Sequence, residues 1–298
     1  MGIGCAEMRE VFLRPTVETR QFALNLVQAK TLHGKLLPAP QDLTDRSPGP
    51  ELRISAPGRP ANLTIVSPSR AKVPPLDGMV DPRQRSRILH ALANHELQAA
   101  ELFAWALLAF PDAPATFRSG LVRLVAEEQQ HCRMYMARLG EWKIGLGDYP
   151  VSGYFWGKVK DITTPQRFVC TMALTFENAN LDHAANYGAR ARELGDEKTA
   201  RLFERIGKDE VRHVRFGWRW LKRWKQPDET MWEAYRGSVV WPLRPGLARG
   251  EVFHPEGRIA VGMDPEFIRR LSESERKPGR ALSSGTEGTT LEETSGAD

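Results

Sequence analysis

The chain has 298 residues, 41% of them hydrophobic, and 42 Lys and Arg against 37 Asp and Glu give a net charge of +5. That is ordinary globular usage with room for a sizeable core, and the small basic excess permits an anionic partner without demanding one. No apolar run approaches the ~20 residues of a membrane span, MGIGCAEMREVFLRP lacks the apolar stretch of a secretory signal, and Cys5, Cys132 and Cys170 show neither disulfide nor zinc-ligand spacing, so a cytoplasmic protein is expected.

TVETRQFALNLVQAKTL predicts an amphipathic helix over residues 16–32. Between Leu37 and Pro82 ten prolines impose an irregular path, with ELRIS and NLTIV as candidate short strands. Helical signals begin at Asp81: Asp81 as N-cap, Pro82 at the first position and Gln84 completing a capping-box-like pattern predict a helix to about Phe110. FPDAP breaks it, and a second helix over 112–139 turns Phe117, Leu121, Leu124, Val125, Glu128, His131, Tyr135 and Leu139 inward. Residues 143–163, rich in glycine and aromatics, read as a long crossover. Thr164 and Pro165 open a third helix that buries Cys170, Ala173, Leu174, Glu177, Leu181 and Ala184 and ends at Gly195. Asp196 caps a fourth helix, in which the stripe Leu202, Phe203, Ile206, Glu210, His213, Gly217, Trp220, Leu221 and Trp224 opposes a basic face, Arg201, Arg205, Lys208, Arg212, Arg215, Arg219 and Lys222, read as solvated.

The expected fold is all-α: two antiparallel helical hairpins joined by a crossover over 81–225, with residues 1–80 packed on them as an irregular Pro-rich extension. Residues 226–271 form a C-terminal extension whose interleaved aromatics, arginines and prolines suit an ordinary packed segment or a substrate-binding wall. Residues 272–298 are expected to be disordered.

The hairpins repeat one chemistry. Glu96, Glu128 and His131 recur as Glu177, Glu210 and His213 at a nearly constant offset along the chain. In each hairpin a lone glutamate precedes a Glu-x-x-His pair at almost the same interval, Glu96 before Glu128 and Glu177 before Glu210. In antiparallel helices joined by a short turn, that interval brings the three side chains to one height. Four glutamates and two histidines converging in a core is the ligand set of ferritin-like four-helix bundles with two iron or manganese ions, and two divalent ions offset carboxylates that could not otherwise stay ionised together. Glu101 is the alternative first-helix ligand, but it lies about 140° around the helix from Glu96, and the spacing favours Glu96. Glu101 and its counterpart Asp182 read as polar groups behind the ligands or facing substrate, and Glu127 and Asp209 as acids that orient the imidazole of the opposite hairpin. His95 and His183 read as bystanders.

HELQAAELFAWALLAFPDAP, EEQQH, YFW, ENANLD and DEVRHVRFGW resemble a bacterial ferritin-like family known only as a domain of unknown function, within the ferritin-like di-iron carboxylate superfamily, over roughly residues 16–270. The resemblance implies a ferritin-like bundle and a centre of two iron ions (Fe2+/Fe3+), with manganese as the alternative, and it brings no established reaction. The superfamily includes di-iron oxygenases, a tRNA hydroxylase, desaturases, manganese catalases and storage ferritins. The long stretches of chain before Asp81 and after Trp224 exceed what a storage subunit carries, which favours an oxygen-activating oxidoreductase over a ferroxidase or metal-storage protein. Its partners are then a small-molecule substrate, dioxygen and an external electron donor. A tRNA-modifying hydroxylase is the second alternative, disfavoured because the basic row reads as a solvated face. Substrate, donor, metal identity and oligomeric state are not legible in the sequence.

Overall fold

The structure, a computed structural model, describes residues 17–276. Helix α1 (Thr19–Gln28) and the single turn α2 (Leu32–Lys35) lead into the Pro-rich stretch, whose one strand, β1 (Ile65–Val66), falls in NLTIV, whereas ELRIS forms none. Asp81 starts α3 (Pro82–Ala109) by accepting a hydrogen bond from Arg83 N at 2.8 Å. The capping box expected from Gln84 does not form, because the Asp81 N–H is already satisfied by Gly78 O at 3.1 Å. Pro111 and Pro114 then turn the chain into α4 (Ala115–Gly140), which packs against α3 along its length as a helical hairpin.

The second hairpin begins with α5 (Pro165–Thr171), capped by Thr164. The uninterrupted helix expected from Thr164 to Gly195 is not what forms: Met172–Glu177 winds as a π-helix before α6 (Asn178–Glu193) continues. Thr175 Oγ1 donates to Cys170 O at 2.7 Å inside this wider turn, and Gly217 on the facing helix permits the close approach, since a Cβ there would lie 2.5 Å from Ala173 Cβ. Widened turns of this kind concentrate at functional sites, and this one ends on Glu177. Gly195, at a φ of 73° that only glycine adopts without strain, ends the helix, and Asp196 caps α7 (Glu197–Trp224) through Thr199 N. Helix α7 packs on α6, on the π segment and on α4, so the two hairpins meet through α4 and α7.

The extensions explain why α3 is buried nearly all round while α7 is sharply amphipathic. Helix α1 covers the face of α3 turned away from α4, so the run from Leu97 to Phe110 has no solvent side. Arg118, 2% exposed, clamps the α3–α4 turn by a bidentate pair with Asp45 (2.6 and 2.7 Å) and by donating to Leu107 O and Phe110 O. After α7 come α8 (Met231–Ser238), α9 (Pro255–Val261) and α10 (Pro265–Glu273). The tail expected to be disordered from Ser272 has its first residues inside α10; from 277 onward it lies outside the described residues, as does Cys5. Cys132 and Cys170 are buried free thiols. No helix among the described residues is long and apolar enough to cross a membrane.

The crossover between hairpins carries β2 (Val151–Ser152), paired in parallel with β1 in the register Ile65 to Val151. It is tied to α3 through buried His90, whose Nε2 accepts from Gly147 N at 2.8 Å. Burial pushes the His90 imidazole down to about 4. An unfolded histidine titrates near ~6.5, so between those values the unfolded chain binds more protons and stability falls as pH is lowered. By pH 5 the loss from this group reaches up to ~2 kcal/mol. His90→Gln is expected to flatten that part of the profile, read as urea midpoints against pH.

Candidate metal centre

Glu96 comes from the middle of α3, Glu128 and His131 from α4, Glu177 from the end of the π segment, and Glu210 and His213 from α7, and all six side chains are buried. They converge in two overlapping groups. Glu96, Glu128, His131 and Glu210 offer one set of ligand atoms within 4.8 Å of one another, and Glu128, Glu177, Glu210 and His213 offer a second. Glu128 and Glu210 belong to both, as carboxylates shared between two neighbouring positions.

Each imidazole points Nδ1 into the cluster and Nε2 out of it. His213 Nδ1 lies 2.8 Å from Glu128 Oε1 and 3.2 Å from Glu210 Oε2, while its Nε2 is 2.8 Å from Glu127 Oε2. His131 Nδ1 lies 3.6 to 3.8 Å from Glu128, Glu96 and Glu210, while its Nε2 is 3.4 Å from Asp209 Oδ2. Each histidine thus meets an acid of the opposite hairpin, the geometry that fixes an imidazole tautomer with its other nitrogen free to bind a cation. Arg212 faces solvent, as the sequence leads one to expect, and from there it also spans the two acids, 2.8 Å from Asp209 and 3.3 Å from Glu127. Its position three residues after Asp209 is the signal that could have found it.

Among the described residues the inward atoms have no hydrogen-bond partners. Both oxygens of Glu128 and of Glu210, Glu177 Oε1, His131 Nδ1 and His213 Nδ1 are buried and unsatisfied, because close approaches among carboxylates and ring nitrogens are not aligned as hydrogen bonds. Orphaned buried acceptors at this density are costly, and a divalent cation in each of the two groups would satisfy them. The electrostatics agree. Burial, reinforced by Glu128 and Glu210, raises the carboxyls of Glu96 and Glu177 well above the usual range. Burial also opposes charge on Glu128, but the His213 and His131 imidazoles outweigh it and hold that carboxyl low. Both imidazoles are raised in turn: burial lowers them, and the acids around them, Asp209, Glu128 and Glu96 for His131, Glu128, Glu210 and Glu127 for His213, more than offset it. Protons therefore do the charge balancing that cations would otherwise do. The donor set of carboxylate oxygens and two imidazoles fits iron or manganese.

Glu101 is not part of the cluster. Its carboxylate is consumed by Lys35 at 2.8 Å, Arg59 at 2.7 Å and the Trp156 indole N–H at 2.8 Å, which corrects both its reading as alternative ligand and its reading as a group behind the ligands. Asp182, its counterpart, is likewise engaged elsewhere, by Arg258 at 2.7 Å and the N–H groups of Gly250 and His254 at 2.8 Å. The two carboxylates at the repeated position hold down the two extensions, one each. The residues that claim them come from short elements and loops distant in sequence, with no periodicity to announce them. Asn180, which donates to Glu177 Oε2 at 3.1 Å, is also absent from the expected set, although its i+3 spacing is legible. His95 and His183 stand outside both groups, and burial pushes both imidazoles down to about 4.

Residues 15–269 match the model of a family described as Protein of unknown function (DUF455). No curated protein and no solved structure matches the chain.

Proposed function

The chain belongs to the DUF455 family of proteins of unknown function, and within that family we propose that it is a di-metal carboxylate protein on a ferritin-like four-helix bundle, acting as an oxygen-dependent oxidoreductase on a small molecule. The observation that carries this reading is the sharing of Glu128 and Glu210, all four of whose carboxylate oxygens are buried and unsatisfied, between two four-ligand groups. Glu96 and His131 would complete one position, Glu177 and His213 the other. Two iron ions held there, or manganese, would supply the electrons that reduce dioxygen, with an external donor restoring them. The chain's own residues prepare that chemistry. Glu127 and Asp209 hold the imidazoles with Nδ1 inward, Arg212 holds both acids, and the packed aliphatic and aromatic shell keeps bulk water out.

Metal analysis of the purified chain, loaded anaerobically with ferrous iron, is expected to give two ions per chain. Mixing that form with oxygen at stoichiometric iron is expected to give oxygen uptake without growth of ferric mineral. A chain that takes up no metal would overturn the reading, and continued mineral deposition on adding iron would move it to storage. Glu127→Gln and Asp209→Asn, which weaken the partner of each imidazole, are expected to lower iron affinity about 10- to 100-fold with the fold intact, measured by chelator competition.

A further inference from the structure

A cavity of about 240 Å³ is lined in part by residues of α3 and α6, the helices that carry Glu96 and lead on from Glu177. One wall residue, Asn180, donates directly to Glu177, and two others, His95 and Phe176, adjoin Glu96 and Glu177 in the chain. A larger recess of about 720 Å³ is lined by Phe110, Pro111, Thr164 and Trp224; neither cavity is lined by any of the six residues, and no lining residue of the larger one adjoins one of them in the chain. Of the two, the smaller cavity is the one placed to present a ligand to the cluster. Its volume equals that of roughly eight waters at ~30 Å³ each, which limits the ligand to a small molecule.

The lining specifies the chemistry. Phe155 and Phe176, stacked with ring centroids 4.3 Å apart, and Tyr154 and Tyr187 make an aromatic wall. Among the lining residues there is no Asp or Glu, and the two charged ones, Arg249 and Arg276, both come from the chain after α8. Arg249 is positioned by the backbone carbonyls of Ser272 and Glu251, to which its terminal nitrogens donate. Two guanidinium groups on the rim of an aromatic cavity whose lining has no acid are matched by an anion on an apolar body.

We propose that this cavity binds a small organic acid, its carboxylate held by Arg249 and Arg276 and its apolar body laid on the Phe155–Phe176 wall toward Asn180. The C-terminal extension is then the wall that supplies charge selectivity, and α3 and α6 supply the shape. The step from binding to reaction rests on the di-metal reading; the binding does not.

The test titrates the full-length, metal-free chain by calorimetry with three probes of one shape, benzoate, benzamide and benzamidine. Metal-free protein keeps a carboxylate from being captured by a metal ion. Benzoate is expected to bind, benzamide to bind at least roughly tenfold more weakly, as loss of one charge-assisted hydrogen bond implies, and benzamidine not to bind. Arg249→Met is expected to cost benzoate at least that factor and to leave benzamide unchanged. Arg276→Met, at an exposed position, provides the same comparison should Arg249→Met not fold, and Ala179→Phe, which fills the cavity, is expected to abolish both. Equal affinity for benzoate and benzamide, no binding of either, or benzoate affinity that survives both arginine substitutions overturns the proposal. Parallel iron loading separates the two ideas: benzoate binding by a chain that takes up no iron sinks only the di-metal reading, and iron uptake without benzoate binding sinks only the cavity.

Discussion

Glu128→Ala is expected to abolish iron binding at both positions, taking the metal content from two ions per chain to none. Glu96→Ala and Glu177→Ala, each confined to one of the two groups, are expected to leave about one ion. The asymmetry follows from the sharing of Glu128, which no single substitution at a terminal position reproduces. Melting temperature supplies a second readout: ferrous iron at about one hundred times its dissociation constant stabilises the folded chain by about 2.7 kcal/mol, and Glu128→Ala should show none of this shift. The metal-free chains should behave in the opposite sense at Glu177. Its carboxyl is raised by burial and by Glu128 and Glu210, so above the unfolded carboxyl range the native state binds more protons than the unfolded one and stability falls with rising pH. Glu177→Gln removes that cost, and the metal-free variant is expected to melt above the metal-free wild type at pH 7 while binding less iron. For the same reason apparent iron affinity should rise with pH, since the metal displaces protons from His131, His213, Glu96 and Glu177. A Glu128→Ala chain that still holds two ions would remove the shared-carboxylate arrangement from consideration.

Asp182→Ala is expected to destabilise the chain by about 3–5 kcal/mol, a large part of a typical folding free energy of ~5–15 kcal/mol. Arg258 is wholly buried and gives both terminal nitrogens to Asp182, with further bonds to Asn178 O, Ala248 O and His254 O. Without the carboxylate an uncompensated guanidinium remains inside, and the Gly250 and His254 N–H groups lose their acceptor. Glu101→Ala should cost a similar amount, because it strands Lys35 and Arg59 at the N-terminal extension. Urea unfolding followed by tryptophan fluorescence measures both. The double substitution Asp182→Leu with Arg258→Met should recover much of the loss, as expected when the penalty comes from an unpaired buried charge. A cost under about 1 kcal/mol for either single variant would mean that the extension is held by apolar packing alone.

Within the long helices the sequence is close to sufficient. Asp81, Thr164 and Asp196 each cap where their side-chain chemistry says they should, and Gly195 ends α6 at a positive φ. The pairing of Glu127 with His213 and of Asp209 with His131 is also readable, since it needs only two antiparallel helices carrying the same acid-x-x-x-His spacing. The π turn at Met172–Glu177 is not. A widened turn preserves the inward stripe on either side of it, and what stabilises it, the Thr175 bond and the bare Cα of Gly217 on another helix, is not local to the stripe. Arg212 lies on the solvated face as its place in the basic row indicates, and the acid three places before it gives it a partner there, as Asp209 also does for Arg205.

The sequence by itself determined which residues could form the candidate centre, because helical periodicity and the near-constant offset between the two hairpins are local and repeated properties. It determined neither the role of Glu101 and Asp182 nor the existence of the cavity. Those depend on Lys35, Arg59, Arg249 and Arg258, which reach the long helices from short elements and loops far away in sequence and carry no pattern until tertiary packing places their charges. Tertiary structure also decided that the six ligand-type side chains face one another, five of them with unsatisfied atoms, for only the packing of α4 against α7 brings the two repeats within reach of a single pair of shared carboxylates.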